Sequence, residues 1–245
     1  MIEPVQDKQL LDSETRAGLA PWTWGQTWLG IALTMLPWMA LAIALSSSGN
    51  AAGGSKAPLT FQIDLVSALI TLIFSALVEG AFLIAPFAIA NRVYRAIKSH
   101  MQLVLASLGL RKFSIRQAAL WIIGFMVLIF VVNILYSTII TTFHLNLQTN
   151  DQVILARSKQ APITTYATLI VAVFVAPFCE EVFFRGFVFP GLRNKMPVAL
   201  AIITSALLFA IAHVDPASFA VLLAIGLMLG VMRWRTNSIW PGILL

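Results

Sequence analysis

From Trp22 to Leu245 the chain is a succession of apolar runs almost free of charge, at roughly 22–46, 60–91, 117–143, 163–194, 197–214, 217–233 and from 238 onward. A bilayer's hydrocarbon core is about 30 Å thick and takes about 20 helical residues to cross. Inside it every backbone N–H and C=O must be bonded within the protein, which a helix does unaided. The pattern therefore predicts an all-α fold, a polytopic transmembrane helix bundle with six complete spans and the start of a seventh. Composition closes off the alternatives. Apolar residues make up 59% of the chain and charged residues 11%, against about 25% charged in a soluble domain. A lone cysteine and 14 glycines without a period exclude disulfide-rich and collagen-like chains.

Residues 1–21 are polar and of mixed charge, without the basic start and short apolar core of a cleaved signal. They read as a retained, loosely ordered cytoplasmic tail, and residues 22–245 as a single transmembrane helical domain. The linker at 46–58 is small and flexible in composition, whereas 92–116 is rich in Arg and Lys. A net charge of +6 would suggest nucleic acid on a soluble protein. Here the basic residues fall between apolar runs, so they read as topology signals and contacts for anionic lipid, and no nucleic-acid partner is expected. The N-terminal tail, the 92–116 loop, the turn near 193–195 and the stretch at 233–235, together with Arg185, hold nearly all of the 16 Lys and Arg. The other side holds Lys56, Arg157 and Lys159. Positive segments stay in the cytoplasm, which places the N-terminus there. The short chain, the Gly/Ser loop and the missing organellar presequence favour a bacterial inner membrane.

Ionisable groups within apolar runs are costly and each calls for a reason. Asp64, near a helix start, meets the positive end of the helix dipole. Asp215, followed by Pro216, reads as an N-cap. Glu79 lies deep in its run without an obvious partner, either facing a polar cavity or paired with another helix. Asn133 reads as an interhelical hydrogen-bonding group and His144 as an interfacial residue. Gly226 and Gly230 form a small-residue pair for close helix packing, and Trp22, Trp24, Trp28, Trp234 and Trp240 read as interfacial anchors.

The cluster Glu180-Glu181-Val-Phe-Phe-Arg185 differs from these. Two adjacent carboxylates in an apolar run cannot both carry charge cheaply. Glu181 and Arg185 stand at i,i+4 with the acid N-terminal, the favoured order for a helical ion pair. Glu180 is rotated about 100° from Glu181 and need not share that partner. One carboxylate becomes a neutralised brace, and the other projects toward a cavity where it can act as a general base. A buried ion pair that only fixes packing is the plainer alternative. On the next helix, Phe209 and His213 share a face. With the intervening turn at 195–197, Glu180 and His213 lie at similar distances from it, about 22–24 Å along antiparallel helices.

Glu-Glu-x-x-x-Arg followed by Phe-x-x-x-His at this spacing resembles the CPBP family, the CAAX-protease and bacteriocin-processing intramembrane endopeptidases that include the Ras-converting CAAX prenyl protease. The resemblance covers roughly 160–245. It implies that Glu180 and His213 activate a water that attacks a peptide carbonyl, while Glu181 and Arg185 organise the site. It implies a membrane-associated or hydrophobic peptide substrate, in some members lipidated. The family's third motif, His-x-x-x-Asn or Asp, follows a segment like Trp240-Pro-Gly-Ile-Leu-Leu245 and supplies oxyanion donors. The chain stops eight residues into its last run, so the sequence is expected to be truncated there and impaired without that motif. The family has been described both as metalloproteases and as glutamate-type proteases. Zinc sites usually take three protein ligands, and only Glu180 and His213 are candidates, so metal-free water activation is expected, with zinc held by Glu180 and His213 as the alternative. Two other readings stay open: a non-catalytic immunity or assembly protein on the same scaffold, and a proton-coupled transporter with Glu79 and Glu180 as relay.

Overall fold

The computed structural model describes residues 18–51, 58–97, 100–145, 147 and 150–245; most of the expected tail and residues 52–57 of the Gly/Ser linker lie outside them, while 46–51 of that linker continue the first helix rather than form a flexible loop. The described residues form helices and turns. These are α1 (Trp24–Ala51), α2 (Phe61–Gly80), α3 (Ile84–Tyr94), α4 (His100–Ser107), α5 (Ile115–Thr142) and α6 (Asn150–Arg157), then α7 (Pro162–Arg193), α8 (Val198–Ala212), α9 (Phe219–Thr236) and α10 (Trp240–Ile243). A 3₁₀ turn, Ala81–Leu83, joins α2 to α3. Five helices are long and apolar enough to cross a membrane: α1, α2 with α3, α5, α7 and α9. This is a multi-pass membrane protein. The run expected to be a complete span at 197–214 folds as α8, an apolar helix of 15 residues. At about 1.5 Å per residue it reaches about 22 Å, short of a full crossing.

α7 is the axis of the bundle. Cys179, Val182, Phe183, Phe184, Phe187, Val188, Phe189 and Leu192 are all buried along it. α5, by contrast, turns Leu120, Ile123, Met126, Val127 and Phe130 outward, as a lipid-facing helix does. α7 is not regular. It widens into π-helix at Val171–Val175 and again at Glu181–Val188, each time just ahead of a proline, Pro177 and Pro190. Proline has no N–H to give the carbonyl four residues back and its ring crowds that carbonyl. Widening the turn by one residue relieves the crowding and leaves carbonyls in need of donors. Ser205 Oγ of α8 donates to Phe184 O at 3.2 Å, and Arg233 Nε of α9 donates to Arg185 O at 3.1 Å.

Contacts sort the segments onto the two ends of the bundle. At one end Asn194 Nδ2 donates to the carbonyls of Ala20 and Trp22, Arg193 donates to Gly18 O, and Ile239 N donates to Gly109 O. At the other, Leu59 N donates to Gln160 O. The charge count had grouped these segments in the same way, with three amendments. Arg185 and Arg233 are buried braces rather than loop charges, and Trp22 is not an interfacial anchor but a core residue stacked on Phe187 with ring centroids 5.0 Å apart. Gly226 and Gly230 do pack closely: a Cβ on Gly226 would come within 3.0 Å of Ala206 Cα.

Other in-membrane polar residues find local roles. Asp64 caps a helix, but not its own. Its carboxylate accepts from Ile163 N at 2.8 Å, Thr164 N at 3.0 Å and Thr164 Oγ1 at 2.7 Å, closing the N-terminus of α7. Asp215 accepts from Ala217 N, Ser218 N and Ser218 Oγ in the turn that leads into α9, one turn before the helix begins. Asn133 does not bridge helices; it donates to Ile129 O of its own helix. Tyr136 of α5 instead ties its helix to the turn between α8 and α9, donating to Ala217 O. His144 is exposed beyond the end of α5.

Candidate active site

Within the π stretch of α7, Arg185 Nε lies 3.2 Å from Glu181 Oε1. Both side chains are sealed, with 1% and 4% of their surface exposed. The guanidinium also donates through Nη2 to Gly226 O at 3.3 Å and lies over the Phe209 ring, 4.4 Å from its centroid. Glu181 is enclosed further by α10, where a Cβ on Gly242 would run into its carboxylate. This pair fills the place of the neutralised brace.

Glu180, one residue earlier, ends the regular helical stretch Ala176–Glu180 and turns the other way. Its Oε1 lies 3.9 Å from His213 Nε2, and the two side chains keep 22% and 29% exposure. Adjacent carboxylates thus have opposite fates, one locked against a cation and one left reachable.

Phe209 links the two halves. Its ring rests on the Arg185 guanidinium and against the His213 ring, centroids 4.6 Å apart, while its carbonyl lies 2.8 Å from His213 Nδ1. A carbonyl only accepts, so Nδ1 carries a proton and Nε2 is the nitrogen presented to Glu180. Neutral, Nε2 and the Glu180 carboxylate are both acceptors. A gap of 3.9 Å between acceptors suits a donor lying between them, and water is the smallest that can serve both. The i,i+4 spacing of Phe209 and His213 makes this geometry possible, since His213 is the residue just after α8 ends and reaches back one turn.

The pair opens on a cavity of about 110 Å³ lined by Trp38, Glu79, Phe82, Glu180, Phe184, Ala212 and His213. At about 30 Å³ per water, it holds a few molecules. A wider apolar cleft of about 370 Å³ between α1 and α2–α3 shares Trp38 and Phe82 with it. Trp38 is fixed by donating from Nε1 to Ala212 O at 2.6 Å.

One member of this site escaped the sequence. Glu79, which the sequence left between a polar cavity and a helix partner, lines the cavity beside Glu180. Trp38 carried no expectation at all; it comes from a helix remote in sequence, and no local spacing announces it. As a metal centre the site is incomplete, because no group of three or more His, Cys, Asp or Glu among the described residues could hold an ion. Glu180 and His213 alone fall short of the usual three protein ligands of a catalytic zinc, and no step through a metal is derived.

Residues 162–245 match the family model of type II CAAX prenyl endopeptidase Rce1-like proteins. An uncharacterized protein of Mycoplasma capricolum is 41% identical over 92 residues, 35% of this chain and 26% of that protein. A Bacillus subtilis protein named "Putative membrane peptidase YdiL" is 30% identical over 132 residues, 53% of this chain and 52% of that protein. The chain spans about half or less of the length of these relatives. No solved structure matches it. The stretch that builds the Glu180–His213 pair is thus the part of the chain that resembles the Rce1-like type II CAAX prenyl endopeptidases.

Proposed function

We propose that this protein is an intramembrane endopeptidase that hydrolyses a peptide bond in a hydrophobic or membrane-associated substrate. The observation that carries the reading is the 3.9 Å approach of Glu180 Oε1 to His213 Nε2, with Nδ1 held by Phe209 O, at the wall of a cavity large enough for water. A water between the two acceptors donates one hydrogen to Glu180 and the other to Nε2. Glu180 takes a proton as the water oxygen forms its bond to the scissile carbonyl carbon. The same proton passes to the leaving nitrogen as the C–N bond breaks, which restores the carboxylate. Glu181 and Arg185 touch no substrate; they hold the widened turn that aims Glu180 away from them. The family match to 162–245 supports the class. The shared Trp38–Phe82 wall supports entry of an apolar chain from the lipid side. We place the protein in a bacterial inner membrane with its N-terminus in the cytoplasm.

The test is cleavage of quenched fluorogenic apolar peptides by the protein in proteoliposomes. General acid–base groups contribute about 10²–10⁴ in rate, so Glu180→Gln and His213→Ala should each lose about that factor while melting like the wild type. Unchanged turnover in either variant would falsify the assignment. The meeting of Glu79 and Glu180 at one cavity also suits a proton relay; pH-driven solute flux without hydrolysis would replace the peptidase reading with a transporter.

A further inference from the structure

Apart from Glu180, which the proposed chemistry uses, the acids placed in or near the bilayer among the described residues have partners, with one exception. Asp64 and Asp215 accept hydrogen bonds from backbone and hydroxyl groups, and Glu181 faces Arg185. Glu79 is the exception. Its Oε2 is sealed from solvent and finds no hydrogen-bond partner among the described residues, although its side chain lines the same cavity as Glu180 and His213. A buried acceptor without a donor costs about 1–3 kcal/mol, and more when charged. A residue kept only for packing would lose nothing by being apolar.

The rest of the cavity wall explains what is missing. Its side-chain donors are already spent, Trp38 Nε1 on Ala212 O and His213 Nδ1 on Phe209 O. Phe82, Phe184 and Ala212 bring no polar side chain. The polar side chains that line it and are not bonded within the wall are His213, through Nε2, and the carboxyl groups of Glu79 and Glu180, which as carboxylates only accept. An occupant that satisfies it must bring hydrogens of its own. Water brings some. A peptide brings backbone N–H groups on either side of its scissile carbonyl.

We propose that Glu79 is a substrate-binding residue whose carboxylate accepts a hydrogen bond from a backbone N–H of the peptide lying across Glu180 and His213. This rests on the endopeptidase reading and adds a polar anchor to it, supplied by α2 rather than by the 162–245 segment.

The experiment uses the full chain in proteoliposomes with a fluorogenic apolar peptide that the wild type cleaves, and with the set of its singly N-methylated forms. Binding of the same peptides, labelled with fluorescein, is followed by anisotropy on the Glu180→Gln variant, which does not require turnover. A hydrogen bond to a charged group corresponds to about 10- to 100-fold in affinity. Glu79→Ala should raise KM and the probe's Kd by that factor while kcat stays within about threefold. Glu79→Gln, which keeps the size and one acceptor oxygen, should recover most of the loss and guards against misfolding. One N-methyl position should cost the wild type the same factor and cost Glu79→Ala nothing. Equal KM and Kd in the variants, a loss confined to kcat, or N-methyl effects that ignore Glu79 would overturn the proposal. If peptides bind in a Glu79-dependent way without being cleaved, the endopeptidase reading fails alone; if they neither bind nor are cleaved, both fail.

Discussion

Glu180 and Glu181 differ in surroundings, not in chemistry, and the surroundings come from a widened turn. In that turn Arg185 takes one carboxylate and leaves the other to His213. Both members of the Glu181–Arg185 pair are sealed, so removing one charge strands the other. Stranding a buried charge costs about 3–5 kcal/mol, whereas replacing both partners with apolar groups of similar size is often near neutral. Glu181→Gln should therefore lower the midpoint of unfolding strongly, and Glu181→Leu with Arg185→Met should recover much of the loss. Denaturant titration in detergent, followed by circular dichroism, checks this; a double variant no more stable than the single would show that the pair acts by more than mutual neutralisation. At this scale the sequence was informative where partners are near in the chain. Glu181 with Arg185, and Phe209 with His213, are both i,i+4. The cap that Asp64 supplies to α7 was illegible because its partners lie about 100 residues away, and for the same reason the sequence could not choose between a cavity and a helix partner for Glu79, whose cavity neighbours Glu180 and His213 lie on other helices. Arg233 misled for another reason: a basic residue near a helix end looks the same whether it faces lipid headgroups or, as here, donates to a carbonyl of the core.

At the scale of elements, what the sequence could not disclose was the π-helix. Apolar periodicity placed α7 within a residue or so at each end, because hydrophobicity alone decides which segment enters the bilayer. The register inside the helix depends on how Pro177 and Pro190 are accommodated and on whether Ser205 and Arg233 reach the carbonyls that are freed. Those are tertiary facts. α10 makes a similar point. Its Gly242 sits against the Glu181 carboxylate so closely that a methyl group cannot be added without displacing it. Gly242→Ala should push Glu181 off Arg185, and overpacking of this kind costs about 1–3 kcal/mol. Activity should fall together with stability, in contrast to Glu180→Gln, which should spare stability. A Gly242→Ala protein that melts and cleaves like the wild type would show that α10 yields freely, and that Glu181 does not depend on it.

For the whole molecule, the charge count and the contact pattern agree on which segments share an end. Residues 18–22, 108–111, 193–194 and 233–239 are tied to one another, and 58–64 to 160–164. Neither observation says which end meets the cytoplasm; the positive-inside rule predicts that the first end does, through Arg92, Arg95, Arg111, Lys112 and Arg116. The chain itself makes the check simple, since Cys179 is its one cysteine and is buried at 2% exposure, so a membrane-impermeant maleimide has little to react with in the native protein. A cysteine introduced at Lys112 should label only after the cells are permeabilised, and one at Ser158 should label in intact cells. The reverse pattern would invert the molecule and put α8 and α9 on the opposite face. The turn at 213–218 joins these two helices and carries His213, and it lies about 22 Å in from the end where α8 starts, by the length of that helix. With the predicted orientation the pair lies most of the bilayer's thickness away from the cytoplasmic end, nearer the opposite face. Labelling at these two positions therefore decides which compartment lies nearer to the pair.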